Sequence, residues 1–164
     1  MKTIKFFHQD ETLVYNIEKC FCKVVLSGQQ HQLLIEIHST DELDHVEGDA
    51  IQNNFPQVSL YVEDFPVSFK STDELNQKII EIPFCFNETE DEDGEIEVFY
   101  YTSVNVQEDD YEADNNTLSF FKNNNGKLCL KWKGEVQDFI DESDEYIPFE
   151  LECMFSDFTF DERD

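Results

Sequence analysis

Three runs of carboxylates are the residues of this chain whose types and spacing could do chemistry: positions 88–97, 108–114 and 138–146. Grouped carboxylates hold calcium, share a proton as acid and base, or face a cationic surface. Calcium makes the most specific demand. An EF-hand loop needs oxygen ligands at positions 1, 3 and 5, Gly at 6 and Glu at 12, between two helices. With Gly94 as the sixth residue, Thr89, Asp91 and Asp93 take the ligand positions, but Tyr100 falls at the twelfth. Tyrosine cannot close such a site, and the flanking segments read as strands. A solvated hairpin loop is therefore expected there.

Other metal and catalytic arrangements find less support. His31, His38 and His45 are seven apart and would share a face only on one continuous helix, which the strand-like alternation of 33–38 and Gly48 interrupt. His8 is remote from them in the sequence. No metal or cofactor is expected. The chain carries no nucleophile elbow, phosphate loop or dinucleotide glycine fingerprint. Pairs of carboxylates could hydrolyse a glycosidic bond, yet among 38 acids their mere presence says nothing. Enzyme activity is not expected. Cys20-Phe21-Cys22 lacks the spacing of a zinc or redox pair. Five cysteines, most of them among apolar neighbours, read as reduced, buried thiols.

Binding remains. The chain has 38 Asp and Glu against 11 Lys and Arg in 164 residues, a formal charge of −27. No Lys or Arg occurs from Val24 to Phe69, nor from Ile79 to Phe121. Phosphate contact draws on clustered cations, so direct nucleic-acid binding is disfavoured, and anionic lipid repels such a surface. The candidate partner-binding residues are Asp91, Glu92 and Asp93 in the first run and Asp109 and Asp110 in the second. In the third they are Asp138, Asp141, Glu142, Asp144, Glu145 and Tyr146, where Phe139 and Ile140 set apolar groups among acids. Charge would steer encounter there and buried rings would anchor the complex.

The scaffold for these loops is read from a two-residue hydrophobic period. Disorder is excluded by 40% hydrophobic and 14% aromatic residues. Leu128, Leu130 and Trp132 alternate with Lys127, Lys131 and Lys133 behind Asn123-Asn124-Asn125-Gly126, so residues 117–133 read as a β-hairpin with Trp132 on its core face. Further strands are expected at 3–7, 13–17, 21–26, 33–38, 58–62, 79–86, 95–102 and 149–155. Phe158 and Phe160 switch parity after a bulge or turn near Ser156. Ser39-Thr40-Asp41-Glu42-Leu43 and Ser71-Thr72-Asp73-Glu74-Leu75 each carry a Ser-x-x-Glu capping pattern and predict one or two short helices. A single domain over residues 1–164 follows. It is mainly β, an antiparallel β-sandwich or barrel-like fold of about ten short strands, with the sandwich preferred for want of a ligand-cavity signature.

The first residues lack the apolar core of a secretory signal, so a cytoplasmic protein is expected. The function expected is that of a non-enzymatic acidic protein that binds a basic protein partner. Its most concrete form is similar in character to a bacterial immunity protein, which neutralises a toxin by covering its active or substrate-binding surface. The alternative is a β-sandwich module binding calcium or carbohydrate through its acidic loops.

Overall fold

Asn123 reverses the chain at the hairpin read most clearly from the sequence. Its Oδ1 accepts the N–H groups of Asn125 and Lys127, and Gly126 takes a φ of +75° that a side chain would resist. The computed structural model describes residues 3–155, together with the backbone of residues 157–163. Twelve strands are present: β1 (Thr3–Phe7), β2 (Thr12–Ser27), β3 (Gln30–Ser39), β4 (Val58–Val67), β5 (Ile79–Ile82), β6 (Phe86–Glu90), β7 (Ile96–Tyr100), β8 (Thr102–Val106), β9 (Asp109–Lys122), β10 (Leu128–Gln137), β11 (Tyr146–Met154) and β12 (Asp157–Arg163).

Eight of them close an antiparallel barrel in the order β1-β11-β10-β9-β8-β4-β3-β2, completed by the pairing of β2 with β1. The barrel-like alternative is thus the one realised. β5 pairs with the second half of β9, and β12 lies parallel to the second half of β2, both outside the ring. The parity of Phe158 and Phe160 and the turn at Ser156 lie outside the described residues.

Closure depends on three bulges. On β2, Leu13, Tyr15 and Ile17 point inward, then Cys20, Cys22 and Val24 do so, because an extra residue sits opposite β3 between Ile17 and Lys19. The expected strands at 13–17 and 21–26 are therefore one strand with a bulge. A second bulge falls in β4 between Val62 and Phe65, where Asp64 has a φ of +55°, and a third in β9 near Asn115, with φ +53°. Each extra residue bends its strand and adds the coiling a barrel requires.

The interior is packed with aromatic and branched side chains. Trp132, Phe6, Tyr15, Phe139 and Phe149 are all buried, and Phe6 contacts Tyr15 and Phe139 edge-on. Trp132 pairs with Leu118 across the hairpin, and its indole N–H donates to Asn116 Oδ1 at 2.9 Å. The Asn116 amide donates in turn to the carbonyls of Ile82 and Ala113 and to Thr102 Oγ1. Gly134 makes room for this network, since a Cβ there would come within 2.7 Å of Asn116 Oδ1.

The two capping patterns part company. At Ser71, Glu74 Oε2 accepts the Ser71 and Lys70 N–H groups, and one 3-10 turn follows over Thr72–Leu75. At Ser39 the expected helix is absent: the residue ends β3, buried, and its Oγ accepts the Val58 N–H. Strand pairing has claimed the hydroxyl that the helix start would have used. A further 3-10 turn at Ile51–Asn54 carried no capping pattern in the sequence. No helix among the described residues is long and apolar enough to cross a membrane.

Candidate partner-binding face

The two cation-free stretches of sequence become neighbours in space. β9, β8, β4 and β3 are consecutive in the barrel, and apart from Lys122 at the end of β9 they hold no Lys or Arg. β6 and β7 hold none either. The barrel's remaining lysines stand on the other strands: Lys5 on β1, Lys19 and Lys23 on β2, Lys131 and Lys133 on β10. The charge is therefore polarised, with Glu36, Glu63, Asp64, Asp109, Asp110, Glu112 and Asp114 on the cation-free side.

From this side a hairpin projects. β6 and β7 pair with each other and with no other strand among the described residues. Every residue of both is exposed. One face sets Phe86 against Tyr100, Glu88 against Val98 and Glu90 against Ile96. Ile96 is 66% exposed and Tyr100 55%, and Phe84 just before β6 reaches 71%. An isolated two-stranded hairpin is marginal in water, so its base must be held. Asp114 Oδ1 accepts the Cys85 N–H at 2.8 Å, Pro83 O accepts the Asn115 N–H, and Cys85 O accepts the Tyr101 N–H. Burial, then the Asp114 charge, pushes the Cys85 thiol up to about 12.

At the tip, Asp91 builds the turn. Its Oδ1 accepts the Asp93 and Glu95 N–H groups, and Gly94 takes a φ of +81°. Glu92 and Asp93 face solvent beyond it. The acid that the calcium pattern would enlist thus terminates the hairpin's own backbone. No family, curated protein or solved structure matches the chain.

The second run of acids begins β9. Gln107 and Glu108 take positive φ in a tight turn after β8, and Asp109 and Asp110 follow, exposed, with Asp110 Oδ1 accepting the Asn105 side-chain N–H. Beside them a groove of about 660 Å³ runs between β4, β9 and the end of β7, lined by Tyr61, Tyr100, Tyr101, Tyr111, Glu63 and Glu112 among others.

The third run forms the β10–β11 loop and is divided in its roles. Asp138 is buried. Its Oδ1 accepts the Ile140 and Asp141 N–H groups, and its Oδ2 accepts the Ser143 N–H and hydroxyl. Burial alone would raise its pKa. The Ser143 hydroxyl and these N–H groups outweigh that and hold it below the usual carboxylate range. Asp138 is thus the organiser of the loop, while Glu142, Asp144 and Glu145 are its exposed charges. Burial, followed by Asp114, pushes the half-exposed Tyr146 up to about 12.

Asp141 Oδ2 meets His8 Nε2 at 2.7 Å, and His8 Nδ1 accepts the Asp10 N–H. Accepting at Nδ1 places the neutral imidazole's proton on Nε2, which donates to Asp141. Ligand atoms of His8, Asp138 and Asp141 lie within 4.8 Å of one another. Both Asp138 oxygens are already filled, however, so the group is a clasp between the β1–β2 turn and this loop. His31 and His38 stand on β3 and His45 in the loop after it, where its Nε2 contacts Val14 O.

Asp138→Ala removes four acceptor contacts to a charged group and is expected to cost about 2–3 kcal/mol. Because the folded pKa is depressed, that contribution is present at neutral pH and is lost as pH falls through the folded pKa. Urea midpoints at pH 7 and pH 3 check both: the wild-type advantage over the variant should shrink at the lower pH.

The sequence predicts a solvated hairpin loop between strands at 79–86 and 95–102, but not that the hairpin stands as a sheet of its own beside the barrel. A signal was present: after Phe86, β6 reads Asn87, Glu88, Thr89, Glu90, and neither parity offers a face to bury.

Proposed function

We propose that this chain is a non-enzymatic binding protein that captures a basic protein through its cation-free side. The observation that carries the reading is the β6–β7 hairpin, where Phe86, Ile96, Val98, Phe99 and Tyr100 are exposed beneath an acidic tip. Phe86, Ile96, Val98 and Tyr100 share one face with Glu88 and Glu90, and Phe99 lies on the other; exposed apolar side chains set among charges suit a protein interface. A second copy of the chain is a poor occupant, since two surfaces of this charge repel. A cationic partner gains from both parts: the field raises its encounter rate, and the rings give the complex a desolvated anchor. The most concrete form is a bacterial immunity protein acting in the cytoplasm, a compartment that suits five buried cysteines. Asp91, Glu92, Asp93, Asp109 and Asp110, with Glu142, Asp144, Glu145 and Tyr146, would surround the bound partner.

The test compares the immobilised chain with the variant Ile96→Ser, Val98→Ser, Phe99→Ser. The native chain should retain a cationic protein from its own cells, less so as salt rises, and a stoichiometric mixture should suppress that protein's activity. The variant, folded by circular dichroism, should retain at least tenfold less. Retention of no cationic protein, or equal retention by both, overturns the proposal.

A further inference from the structure

The groove beside the hairpin has a construction of its own. On the outer surface of the barrel Tyr61 of β4, Ser103 of β8 and Glu112 of β9 are cross-strand neighbours. A small residue between two large ones makes a floor with walls. Glu63 stands next along the same side of β4, within its bulge, and its N–H bonds Tyr101 O. Bulges re-aim side chains beside functional sites. Tyr101, diagonal to Tyr61 on that face, is braced edge-on by Phe65 at 5.2 Å, and Tyr61 meets the His38 ring edge-on at 5.7 Å, while Tyr111 pairs with buried Val104 and packs inward against Phe139. Tyr100 closes the end nearest the hairpin. Aromatic rings are thus held rigidly around two carboxylates.

These carboxylates lack a cation. Neither Glu63 nor Glu112 has an ion-pair partner among the described residues, and no Lys or Arg stands on β4, β8 or the adjoining part of β9. Burial first, then the charges of Asp64, Glu36 and Asp110, holds the Glu63 carboxyl above its usual range. The groove therefore contains a repulsion that a positive group would relieve.

We propose that this groove is a receiving site for a guanidinium group: an arginine side chain of the basic partner lies between Tyr61 and Tyr101 with its N–H fork on Glu63 and Glu112. Arginine suits it better than lysine, because its planar cation stacks on rings and donates to carboxylates in pairs. The site rests on the proposed capture of a basic protein, but it has a readout independent of that partner.

The probe is N-acetyl-arginine methylamide, titrated into the isotope-labelled chain and followed by amide chemical shifts. The uncharged citrulline analogue and the lysine analogue serve as comparisons. Saturable shifts should centre on Tyr101, Ser103, Asn105 and Gln137, with the citrulline analogue at least tenfold weaker and lysine weaker than arginine. Glu63→Gln with Glu112→Gln should weaken arginine binding about tenfold or more. Glu42→Gln with Glu47→Gln, an equal loss of charge on the exposed loop after β3, which contributes no residue to the groove, should change it less than twofold. Shifts spread evenly over all acidic loops overturn the site, as do equal binding of citrulline or an undiminished response in the groove variant. A chain that takes arginine here but captures no cationic protein keeps this site and loses the wider function. Capture undiminished by the groove substitutions does the reverse.

Discussion

Trp132→Ala should lower the unfolding free energy by about 3–5 kcal/mol, a large share of what a domain of this size possesses. The indole is fully buried, pairs with Leu118, and lies 5.8 Å from the Phe149 ring. Truncation leaves a cavity that the bulged β9–β10 hairpin cannot readily collapse, because Asn116 is fixed there by four hydrogen bonds. It also removes the donor to Asn116 Oδ1, and an unsatisfied buried acceptor costs about 1–3 kcal/mol in its own right. Trp132→Phe separates the two contributions: it restores most of the packing and none of the hydrogen bond, so its cost should fall near that smaller range. Urea unfolding followed by far-ultraviolet circular dichroism measures both. A loss below about 1 kcal/mol for the alanine variant would contradict the assignment of this residue to the barrel interior.

Trp132 also shows which parts of the fold the sequence makes legible. Alternation over 127–133 is broken only by Cys129, one neighbour is a turn with its own chemistry, and nothing distant is needed to decide which side is buried. Most strands around the ring are legible for the same reason, but β8 and the first half of β9 fall between 102 and 117, where the sequence predicts no strand. Closure is not. Whether a sheet closes depends on bulges at Glu18, near Asp64 and near Asn115, and these appear in the sequence only as parity switches or polar residues that look like strand ends. The sequence accordingly predicts two strands, 13–17 and 21–26, where the bulge at Glu18 leaves one. The capping patterns at Ser39 and Ser71 are identical over five residues, yet only one starts a helical turn, because β4 reaches Ser39 first. Among the acids, the sequence shows where charge accumulates but not which carboxylates are spent within the fold. Asp91, Asp114 and Asp138 accept backbone N–H groups, and their roles depend on turns or on strands far away in the chain. The groove was illegible for a further reason: Tyr61, Ser103 and Glu112 come from three strands and meet only through cross-strand register.

That division of the acids leads to the second large effect. Replacing Glu88, Glu90, Glu92 and Asp93 by Gln or Asn should slow association with the captured basic protein by tenfold or more at about 10 mM salt. Asp91 is left in place, because neutralising it would dissolve the turn and confound charge with structure. At that ionic strength the screening length is about 30 Å, so the tip of the hairpin acts on a partner well before contact; at about 1 M it is near 3 Å and the field is gone. The variant and native rates should therefore converge in high salt, while the dissociation rate, governed by the hairpin's apolar residues, changes little. Replacing Glu142, Asp144 and Glu145 removes nearly as much charge from the other exposed loop. If the hairpin is the docking element, this second variant loses clearly less association rate, because its charges lie beside the clasp of His8 and Asp141 rather than on the element that makes contact. Stopped-flow mixing at the two salt concentrations distinguishes the cases. Equal slowing by both variants would mean that net charge alone draws the partner in and that the hairpin's position confers no advantage. No slowing by the hairpin variant at low salt would remove its acidic tip from the interface altogether.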